Sequence, residues 1–421
     1  MSIDRPEGGE RAILVHVHFP AGRMQEDLTE FKNLAHSAGA DCVDIITGTR
    51  RAPESNYFVG TGKAEELRVS VAAHGAELAI FNHALSPAQE RNLERLLQCR
   101  VVDRIGLILD IFAQRARSFE GKLQVELALL THLATRLVRG WTHLERQRGG
   151  IGLRGPGETQ LEVDRRLIRK RIQLITQRLT KVRKQRQQGR RSRRRASIPT
   201  VALVGYTNAG KSTIFNWLTG ASVYAADRLF ATLDPTLRRI DLAEIGPIVL
   251  ADTVGFIRHL PHDLVEAFRA TLEEVGEADL LLHIVDAHDP NKAATIAQVQ
   301  TVLESIDALD VPQLLVYNKI DLCSGQSPGL DRREDGSVKR VWCSAENGQG
   351  KTELLSAIIA SLGKHIVQAE VILNPKQAKL RAQLFQMGCV ISEHIDQTGH
   401  SHLTLRMPQI DWERMDFSKE L

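Results

Sequence analysis

A glycine-rich stretch at residues 199–213 carries the residue types best suited to phosphate chemistry. A glycine is followed, after four residues, by a Gly-Lys-Ser triplet. These residues are Gly205, Gly210, Lys211 and Ser212. In this pattern backbone N–H groups surround phosphate oxygens, the lysine reaches the outer phosphates and the serine hydroxyl binds Mg²⁺. Because an apolar run leads directly into it, the stretch predicts a buried strand, a tight turn, a helix start and a nucleoside triphosphate site.

Two later motifs bear on which base is bound. Asn318-Lys319-Ile320-Asp321 follows an apolar run, where parallel sheets bind ligands. The Asp321 carboxylate can accept two hydrogen bonds from the ring N–H and amine of guanine, a donor pair that adenine lacks. Ser344 and Ala345 end another strand and could present backbone N–H groups to the guanine oxygen. On its own the first motif could be an ordinary turn, but its position after the phosphate loop favours GTP.

Between the phosphate loop and the base motifs lie candidate groups for Mg²⁺ and the terminal phosphate. Asp252 follows an apolar run and is expected in the Mg²⁺ shell, and the Gly255 N–H is expected to sense the terminal phosphate. Thr232, on a segment expected to order only with triphosphate, is the candidate second Mg²⁺ hydroxyl. Thr213 and Thr236 leave that choice open.

The residues expected to contact GTP all lie in these motifs. They are Gly205, Tyr206, Thr207, Asn208, Ala209, Gly210, Lys211, Ser212, Thr213, Phe230, Ala231, Thr232, Leu233, Asp234, Asp252, Thr253, Val254, Gly255, Asn318, Lys319, Ile320, Asp321, Ser344, Ala345 and Glu346. Lys211, Thr232 and Gly255 are expected to act in hydrolysis. Ser212 and Thr232 are the expected Mg²⁺ ligands.

Phe256 follows Gly255, at the position where many GTPases have a glutamine that orients the attacking water. A phenylalanine side chain cannot form that hydrogen bond, so we expect slow intrinsic hydrolysis that a partner stimulates. Asn208 suggests one further source of positive charge. Related GTPases with asparagine here can bind K⁺ beside the phosphates, although Asn208 could instead only brace the loop.

The chain divides into four predicted regions of α/β character. Apolar runs at 12–17, 42–46 and 78–81 alternate with helical patterns in an N-terminal domain, 1–118. Leucine and isoleucine stripes predict a long helical hairpin with a basic linker, 119–197. Region 198–365 alternates strands and helices, which predicts a mostly parallel sheet with helices on both faces. Together with the motifs above, this region is predicted to be a P-loop GTPase domain. A small α/β domain with a strand, a helix and a hairpin follows at 366–421.

Charge is concentrated in the predicted hairpin. The 421-residue chain has a net charge of only +4, but residues 165–195 carry fifteen Arg or Lys and no Asp or Glu, which leaves the remainder near −11. Such a block indicates a polyanion, nucleic acid first, although a solvated basic helix is the alternative. A glycine-rich tip near 148–157 suits close approach to RNA, or a flexible connector. The candidate RNA contacts are Arg146, Arg148, Gly149, Gly150, Arg154, Gly155, Arg165 and Arg166.

Composition narrows the class of protein. Five scattered cysteines fit a reducing cytosol and argue against a disulfide framework or zinc site. No signal peptide or membrane-length apolar run is present, so we expect a cytoplasmic chain without a membrane span. We also expect a monomer.

Two weaker patterns have structural explanations. Gly60-Thr61-Gly62-Lys63 resembles a phosphate loop but lacks its spacing, so it is a second nucleotide site or a turn that caps a helix. Histidines at 394, 400 and 402 could suggest a metal, but side chains that face solvent are expected there. His16 and His18, on the first strand, are given the same interpretation.

Four further segments resemble the HflX family of GTPases. They are YFVGTGKAEEL at 57–67, DRIGLILDIFAQRA at 103–116, KLQVELA at 122–128 and GGIGLRGPGETQLEVDRR at 149–166. The resemblance covers about 10–365 and implies a cytosolic GTPase that binds the large ribosomal subunit and dissociates or rescues stalled ribosomes. The alternatives are a GTPase acting on another structured RNA or in ribosome assembly, and a nucleotide-gated binding module with negligible turnover.

Overall fold

The computed structural model of the chain describes residues 10–20, 27–140, 160–195, 198–220, 229–230, 232–242, 244–257, 269–363, 366–408, 412 and 415. Contacts divide the chain into two compact units. The N-terminal unit comprises 1–181, 226–234 and 257–269, and the C-terminal unit comprises 182–225, 235–256 and 270–421.

A four-stranded parallel sheet forms the base of the N-terminal unit, in the order β2-β1-β3-β4. Its strands are β1 Arg11–His18, β2 Asp41–Thr49, β3 Leu78–Phe81 and β4 Arg100–Val102. The helices of this α/β region are α1 Leu28–Ala38, α2 Thr61–His74, α3 Pro87–Leu97 and α4 Arg104–Arg115. The first three strands confirm the apolar runs. Strand β4, which is only three residues long, and helix α4, half of whose residues are buried, are not among the predicted elements.

Short polar residues fix where these helices begin. Asp27 caps α1 by accepting hydrogen bonds from two backbone N–H groups of its first turn. Ser86 and Gln89 form a reciprocal capping box at α3, where Pro87 occupies the first turn. Asp103 caps α4 through the Gly106 N–H at 2.8 Å. Each cap satisfies backbone donors that a helix leaves without partners.

The predicted hairpin arms are helices α5 Phe119–Gly140 and α6 Gln160–Arg195. Leu123 on the first stripe and Ile175 on the second are buried, and an ion pair of 2.6 Å joins Arg171 to Glu126. The basic linker expected at residues 190–195 instead continues α6, because five of these six residues are arginine, a strong helix former. Arg136 of α5 forms ion pairs with Glu90 and Asp103, which holds this arm on the α/β layer.

A seven-stranded sheet builds the C-terminal unit, in the order β10-β11-β9-β8-β5-β7-β6. The strands are β5 Thr200–Gly205, β6 Thr236–Leu242, β7 Gly246–Asp252, β8 Leu280–Asp286, β9 Gln313–Asn318, β10 Gly329–Arg332 and β11 Val338–Trp342. The helices are α7 Lys211–Thr219, α8 Arg269–Gly276, α9 Lys292–Ser305 and α10 Lys351–Gly363. Only the edge strands β6 and β10 are antiparallel to their neighbours, so the predicted mostly parallel sheet is confirmed. The polar β10 was not predicted.

The tail forms a separate three-stranded antiparallel sheet, in the order β12-β14-β13. Its elements are β12 Ile366–Leu373, α11 Ala378–Met387, β13 Val390–Ile395 and β14 Ser401–Pro408. A small core that includes Leu384 and Leu405 lies between the helix and the sheet. The predicted hairpin is present, and its second strand is also the central strand. Across the parts of the chain that the structure describes, no helix has the length and apolar character needed to cross a bilayer.

Candidate functional site

The phosphate loop of the C-terminal unit connects β5 to α7 through two glycines that no other residue could replace without strain. Gly205 has φ +146°, and a Cβ there would lie 2.3 Å from the Ile284 carbonyl oxygen. Gly210 has φ +90°, and its Cβ would lie 2.2 Å from the Asn318 side-chain nitrogen. Both glycines therefore supply positive φ and close approach, as the phosphate-loop pattern predicts.

Lys211 is the first residue of α7 and is 7% exposed. Its ammonium donates hydrogen bonds to the carbonyl oxygens of Gly205 at 3.1 Å and Tyr206 at 2.7 Å. Burial lowers the pKa of Lys211 to about 8, while the charge of Asp252 acts to raise it. A buried cation held only by carbonyl dipoles gains from an anionic partner, and phosphate oxygens would supply one.

Asp252 and Ser212 lie together at the end of β7 and the start of α7. The Ser212 hydroxyl donates to Asp252 Oδ2 at 2.7 Å, and Asp252 is fully buried. The next residue, Thr253, is fixed by its hydroxyl on the Leu203 carbonyl at 2.5 Å. A hydroxyl and a carboxylate are oxygen ligands of the kind that Mg²⁺ prefers beside phosphates, so the pair fits that ion. No group of three His, Cys, Asp or Glu that could hold a metal occurs among the described residues.

The segment after Asp252 is bonded to the phosphate loop through its backbone. Phe256 N–H donates to the Gly205 carbonyl at 3.1 Å, and Thr207 N–H donates to the Phe256 carbonyl at 2.8 Å. A Cβ at Gly255 would lie 2.9 Å from Lys211 Nζ, so this glycine leaves space beside the ammonium. The Phe256 ring is 1% exposed and packs in the core.

Asn318 links the base motifs to the phosphate loop. Its amide nitrogen donates to the Ala209 carbonyl at 3.0 Å, and its oxygen accepts from the Ala345 N–H at 3.1 Å. The Asp321 carboxylate accepts from the Ser344 hydroxyl at 2.5 Å, which orients it. Lys319, with φ +65°, is paired with Asp286 at 2.8 Å.

The backbone donors predicted for the base site have partners within the protein. The Ala345 N–H donates to the Asn318 side-chain oxygen, and the Ser344 N–H donates to the Gln349 carbonyl at 2.9 Å, because buried N–H groups require partners. Their predicted role toward the guanine oxygen stays a prediction. The two residues serve here as supports for Asn318 and Asp321.

Comparison with known proteins matches the chain along most of its length. Residues 25–113 match a family described as GTP-binding GTPase N-terminal, 115–193 match GTP-binding GTPase Middle Region, and 200–319 match 50S ribosome-binding GTPase. The GTPase HflX of Escherichia coli is 59% identical over 412 residues, covering 98% of this chain and 97% of that protein. The GTPase HflX of Magnetococcus marinus is 46% identical, covering 92% and 90%.

The chain belongs to the HflX family of GTPases. It is therefore a GTPase that binds GTP and hydrolyses it, as the phosphate-loop and base motifs predicted. A GTP-binding protein from Sulfolobus solfataricus, solved with GDP, overlaps 84% of this chain and 99% of its own length at a TM-score of 0.46 and 23% identity.

Some residues predicted for the GTP site of this HflX-family chain lie in its N-terminal unit. Phe230 and Asp234 make contacts there: the Phe230 ring lies edge-on to Phe112 at 4.6 Å, and Asp234 accepts a hydrogen bond from the start of α5. Ala231 lies outside the described residues, and Thr232 is half-buried. Their predicted roles toward GTP stay predictions.

The predicted RNA contacts fall partly outside the described residues. This applies to Arg146, Arg148, Gly149, Gly150, Arg154 and Gly155. Arg165 and Arg166 lie on α6, the first half-buried and the second exposed. Their assignment to RNA stays a prediction.

Histidine positions divide into two kinds. In the tail, His400 and His402 lie near Asp396. The pKa of the Asp396 carboxyl is lowered by the hydrogen bonds that it accepts, and the one from the Thr398 hydroxyl has the largest effect. His18 is exposed as expected, but His16 is 9% exposed and shares a 2.9 Å hydrogen bond with Asn82. The solvent-facing interpretation of His16 is wrong because β1 is covered on both faces.

Sequence reasoning missed two features near the phosphate site, the hydrogen bonds of Asn318 and the buried His283. The dual hydrogen bonding of Asn318 was not foreseen, although asparagine offers the donor and acceptor that it requires. His283 on β8 is buried, and burial together with the charge of Lys211 lowers its pKa to about 4. A polar residue within an apolar strand pattern was the available signal.

Proposed function

We propose that this GTPase acts in the cytoplasm on the large ribosomal subunit, in the dissociation or rescue of stalled ribosomes. The observation that carries the proposal is α6, whose residues 165–195 hold fifteen Arg or Lys and no Asp or Glu. A helix of that charge attracts a polyanion, and phosphate contacts dominate affinity for RNA. The family description matched by residues 200–319 and the resemblance of residues 149–166 favour ribosomal RNA.

Catalysis in the site would rest on positioning and charge. Lys211 would exchange the carbonyl oxygens of Gly205 and Tyr206 for phosphate oxygens, which are better partners for a buried ammonium. The Gly255 N–H would donate to the terminal phosphate. Charge that develops there during hydrolysis would then meet fixed donors in a site that needs little rearrangement.

Mg²⁺, when bound, would supply positive charge on the outer phosphate oxygens. Ser212 and Thr232 would hold it, and Asp252 would orient the Ser212 hydroxyl that it already contacts at 2.7 Å. Because the Phe256 ring is buried, the attacking water must be oriented by backbone, by another side chain or by the ribosome. We therefore expect slow hydrolysis by the isolated protein and stimulation by its partner.

Asn208 supports a second cation proposal. It has φ +62° and an exposed side chain in the phosphate loop, a conformation that non-glycine residues seldom adopt. We infer that its amide oxygen helps to hold K⁺ beside the phosphates. Hydrolysis rates compared in K⁺ and Na⁺, for the wild type and Asn208→Ala, test this; equal wild-type rates in both salts would remove K⁺ from the proposal.

The ribosomal proposal is tested by cosedimentation with separated ribosomal subunits, in the presence of a GTP analogue or of GDP. Binding to the large subunit should be stronger with the analogue. Neutralising four arginines of α6 should reduce the salt dependence of binding by nearly one unit for each lost phosphate contact. Equal binding to both subunits and to an unrelated structured RNA would favour the alternative RNA partner.

Single-turnover hydrolysis separates the remaining alternative. A rate that rises on addition of large subunits supports a ribosome-stimulated GTPase. If subunits bind but the rate stays negligible, the protein is a nucleotide-gated binding module. Fast turnover without ribosomes would contradict the expectation that Phe256 leaves the site incomplete.

A further inference from the structure

The segment that carries Thr232 is anchored in the N-terminal unit by a carboxylate at the start of α5. Asp234 accepts hydrogen bonds from the backbone N–H groups of Arg117 at 2.9 Å and Ser118 at 2.7 Å, and from the Ser118 hydroxyl at 2.5 Å. The Ser118 oxygen accepts in turn from the Gly121 N–H at 2.8 Å and so caps α5. We call Ser118, Gly121 and Asp234 the clasp.

Gly121 makes room for this carboxylate. A Cβ at this position would lie 2.1 Å from Asp234 Oδ1 and 3.0 Å from its Cγ. Gly121 does not have a positive φ, so the backbone itself does not require glycine. Glycine in a helix costs about 1 kcal/mol relative to alanine, and here the space it leaves admits an acidic group at the positive end of the helix.

A hydrogen bond to α1 and an aromatic contact with α4 hold the same segment. The Leu229 N–H donates to Ser37 Oγ at 3.0 Å, and the Phe230 ring packs edge-on against Phe112 at a centroid distance of 4.6 Å. Leu233 is also buried. Residues on both sides of Thr232 are therefore fixed by the N-terminal unit.

The chain connects the clasp closely to the GTPase sheet. Pro235 alone separates Asp234 from Thr236, the first residue of β6. Thr236 is the register partner of Asp252 on β7. Proline fixes its own φ and restricts the backbone of the residue before it, so few conformations are open to Asp234 and Pro235.

We propose that Ser118 and Gly121 are positioning residues for the Mg²⁺-binding segment, acting through Asp234. The proposal rests on the proposed role of Thr232 as an Mg²⁺ ligand. Ordering a residue costs about 1–2 kcal/mol of conformational entropy, and the clasp meets part of that cost before GTP binds. Affinity for Mg²⁺ with a triphosphate thus depends on the clasp, whereas affinity for GDP does not.

The first test compares Gly121→Ala with Gly62→Ala in the full chain. Gly62 is the matched control, because it also lies in the first turn of a helix, and a Cβ there meets nothing within 4 Å. Gly121→Ala should weaken binding of a non-hydrolysable GTP analogue in Mg²⁺ about tenfold, the effect of one lost charge-assisted hydrogen bond, with GDP affinity within about twofold of wild type. The control should change neither affinity.

A double-mutant cycle separates the clasp from a general defect in α5. In an Asp234→Ala background the carboxylate is gone, so Gly121→Ala should have no further effect on analogue affinity. Additive losses would overturn the proposal. Hydrogen exchange of the peptide spanning residues 113–121 gives a second measurement, and Asp234→Ala should increase exchange at the amides of Arg117 and Ser118.

Thr232→Ala distinguishes failure of the clasp from failure of the metal assignment. If Thr232→Ala weakens Mg²⁺-dependent analogue binding but Gly121→Ala leaves it unchanged, the clasp is wrong and the metal assignment stands. If Thr232→Ala has no effect, the metal assignment fails. Tighter analogue binding in Gly121→Ala would also overturn the proposal, because the clasp would then hold the segment back.

Discussion

Two turns of the molecule place glycine directly before lysine at the start of a helix. They differ in the space around the glycine and in the partner of the lysine. In the C-terminal unit, Gly210 has φ +90° and Lys211 is buried against backbone carbonyls. In the N-terminal unit, a Cβ at Gly62 would meet nothing, and Lys63 forms an ion pair of 2.8 Å with Glu66. The first lysine donates to carbonyl oxygens, whereas the second is paired with a carboxylate.

This difference shows what makes a phosphate site. Gly60 precedes α2 with φ −68° and ψ 158°, an extended conformation that any residue can adopt. This turn is therefore an ordinary helix N-terminus. A phosphate loop instead needs glycines that permit positive φ, so that several N–H groups converge, and a buried cation. The spacing of the glycines before the lysine therefore distinguishes a phosphate loop from an ordinary helix start. The presence of glycine and lysine alone does not.

The largest expected effect comes from removing each lysine in turn. Lys211→Ala should weaken GTP binding about a hundredfold or more, because two charge-assisted hydrogen bonds to phosphate, each about 1.5–3 kcal/mol, are lost. Lys63→Ala should leave GTP affinity within about twofold, since an exposed ion pair contributes at most about 1 kcal/mol to stability and none to binding. Titration calorimetry with GTP measures both.

A marked loss of GTP affinity in Lys63→Ala would show that the two turns are functionally alike. Circular dichroism of both variants checks that the fold is retained. ATP titrations on wild type and Lys63→Ala then show whether the N-terminal turn binds another nucleotide.

Base selection provides the second contrast, because the phosphate loop is followed in the chain by Asp321, a carboxylate that the Ser344 hydroxyl orients. Asp321→Asn should lower GTP affinity about thirtyfold, through loss of charge-assisted bonds to the guanine N–H groups. Xanthosine triphosphate, whose extra carbonyl accepts from an amide, should bind this variant better than GTP. If GTP and ATP compete equally for the wild-type site, Asp321 does not select the base.

A third effect concerns the glycines themselves. Gly210→Ala should reduce the free energy of unfolding by about 2 kcal/mol and GTP affinity about tenfold, because alanine resists positive φ and its Cβ would displace Asn318. Gly62→Ala should raise stability by up to about 1 kcal/mol, as expected for alanine in a helix. Urea unfolding and calorimetry measure the pair. Equal destabilisation by both changes would mean that the two backbones differ less than their φ angles indicate.

The parts of this fold that could be predicted are those that local pattern determines. Strand β5 is dominated by an apolar run, β8 is an apolar run interrupted only by His283 before its final aspartate, and the phosphate loop fixes its own backbone through glycine. Strand β10 could not be predicted, because its residues Gly329–Arg332 are largely polar and pair only at the sheet edge. Helix α6 continues past Gly189 to Arg195, because the arginines that follow this glycine are strong helix formers.

Contacts between distant residues were beyond pattern reasoning. Ser118 and Asp234 are 116 positions apart, and each alone is an ordinary helix cap or loop residue. The bonds that Asn318 makes to Ala209 and Ala345 likewise appear only once three strands and the loop are assembled. The sequence identified which side chains belong to the GTP motifs, and the structure added which of them brace one another.

The smallest expected effect distinguishes the two lysines by pH. Burial lowers the pKa of Lys211 to about 8, and bound phosphates would raise it again. Below pH 7 the lysine is protonated in both states, so affinity should be constant. Above pH 8 binding must take up a proton, so GDP affinity at pH 8.5 should be about fourfold lower than at pH 7.

The neighbouring His283 does not titrate in this window, because burial lowers its pKa to about 4 and the ring is neutral throughout. The charge of Asp252 acts to raise the pKa of the lysine. Calorimetry in buffers of different ionisation enthalpy counts the protons taken up when GDP binds. Wild type and Lys63→Ala should both take up a fraction of a proton at pH 8.5, and Lys211→Met should take up none. Guanosine, which lacks phosphates, controls for titration of the base; uptake of equal size with guanosine would assign the proton to the base and leave Lys211 charged throughout.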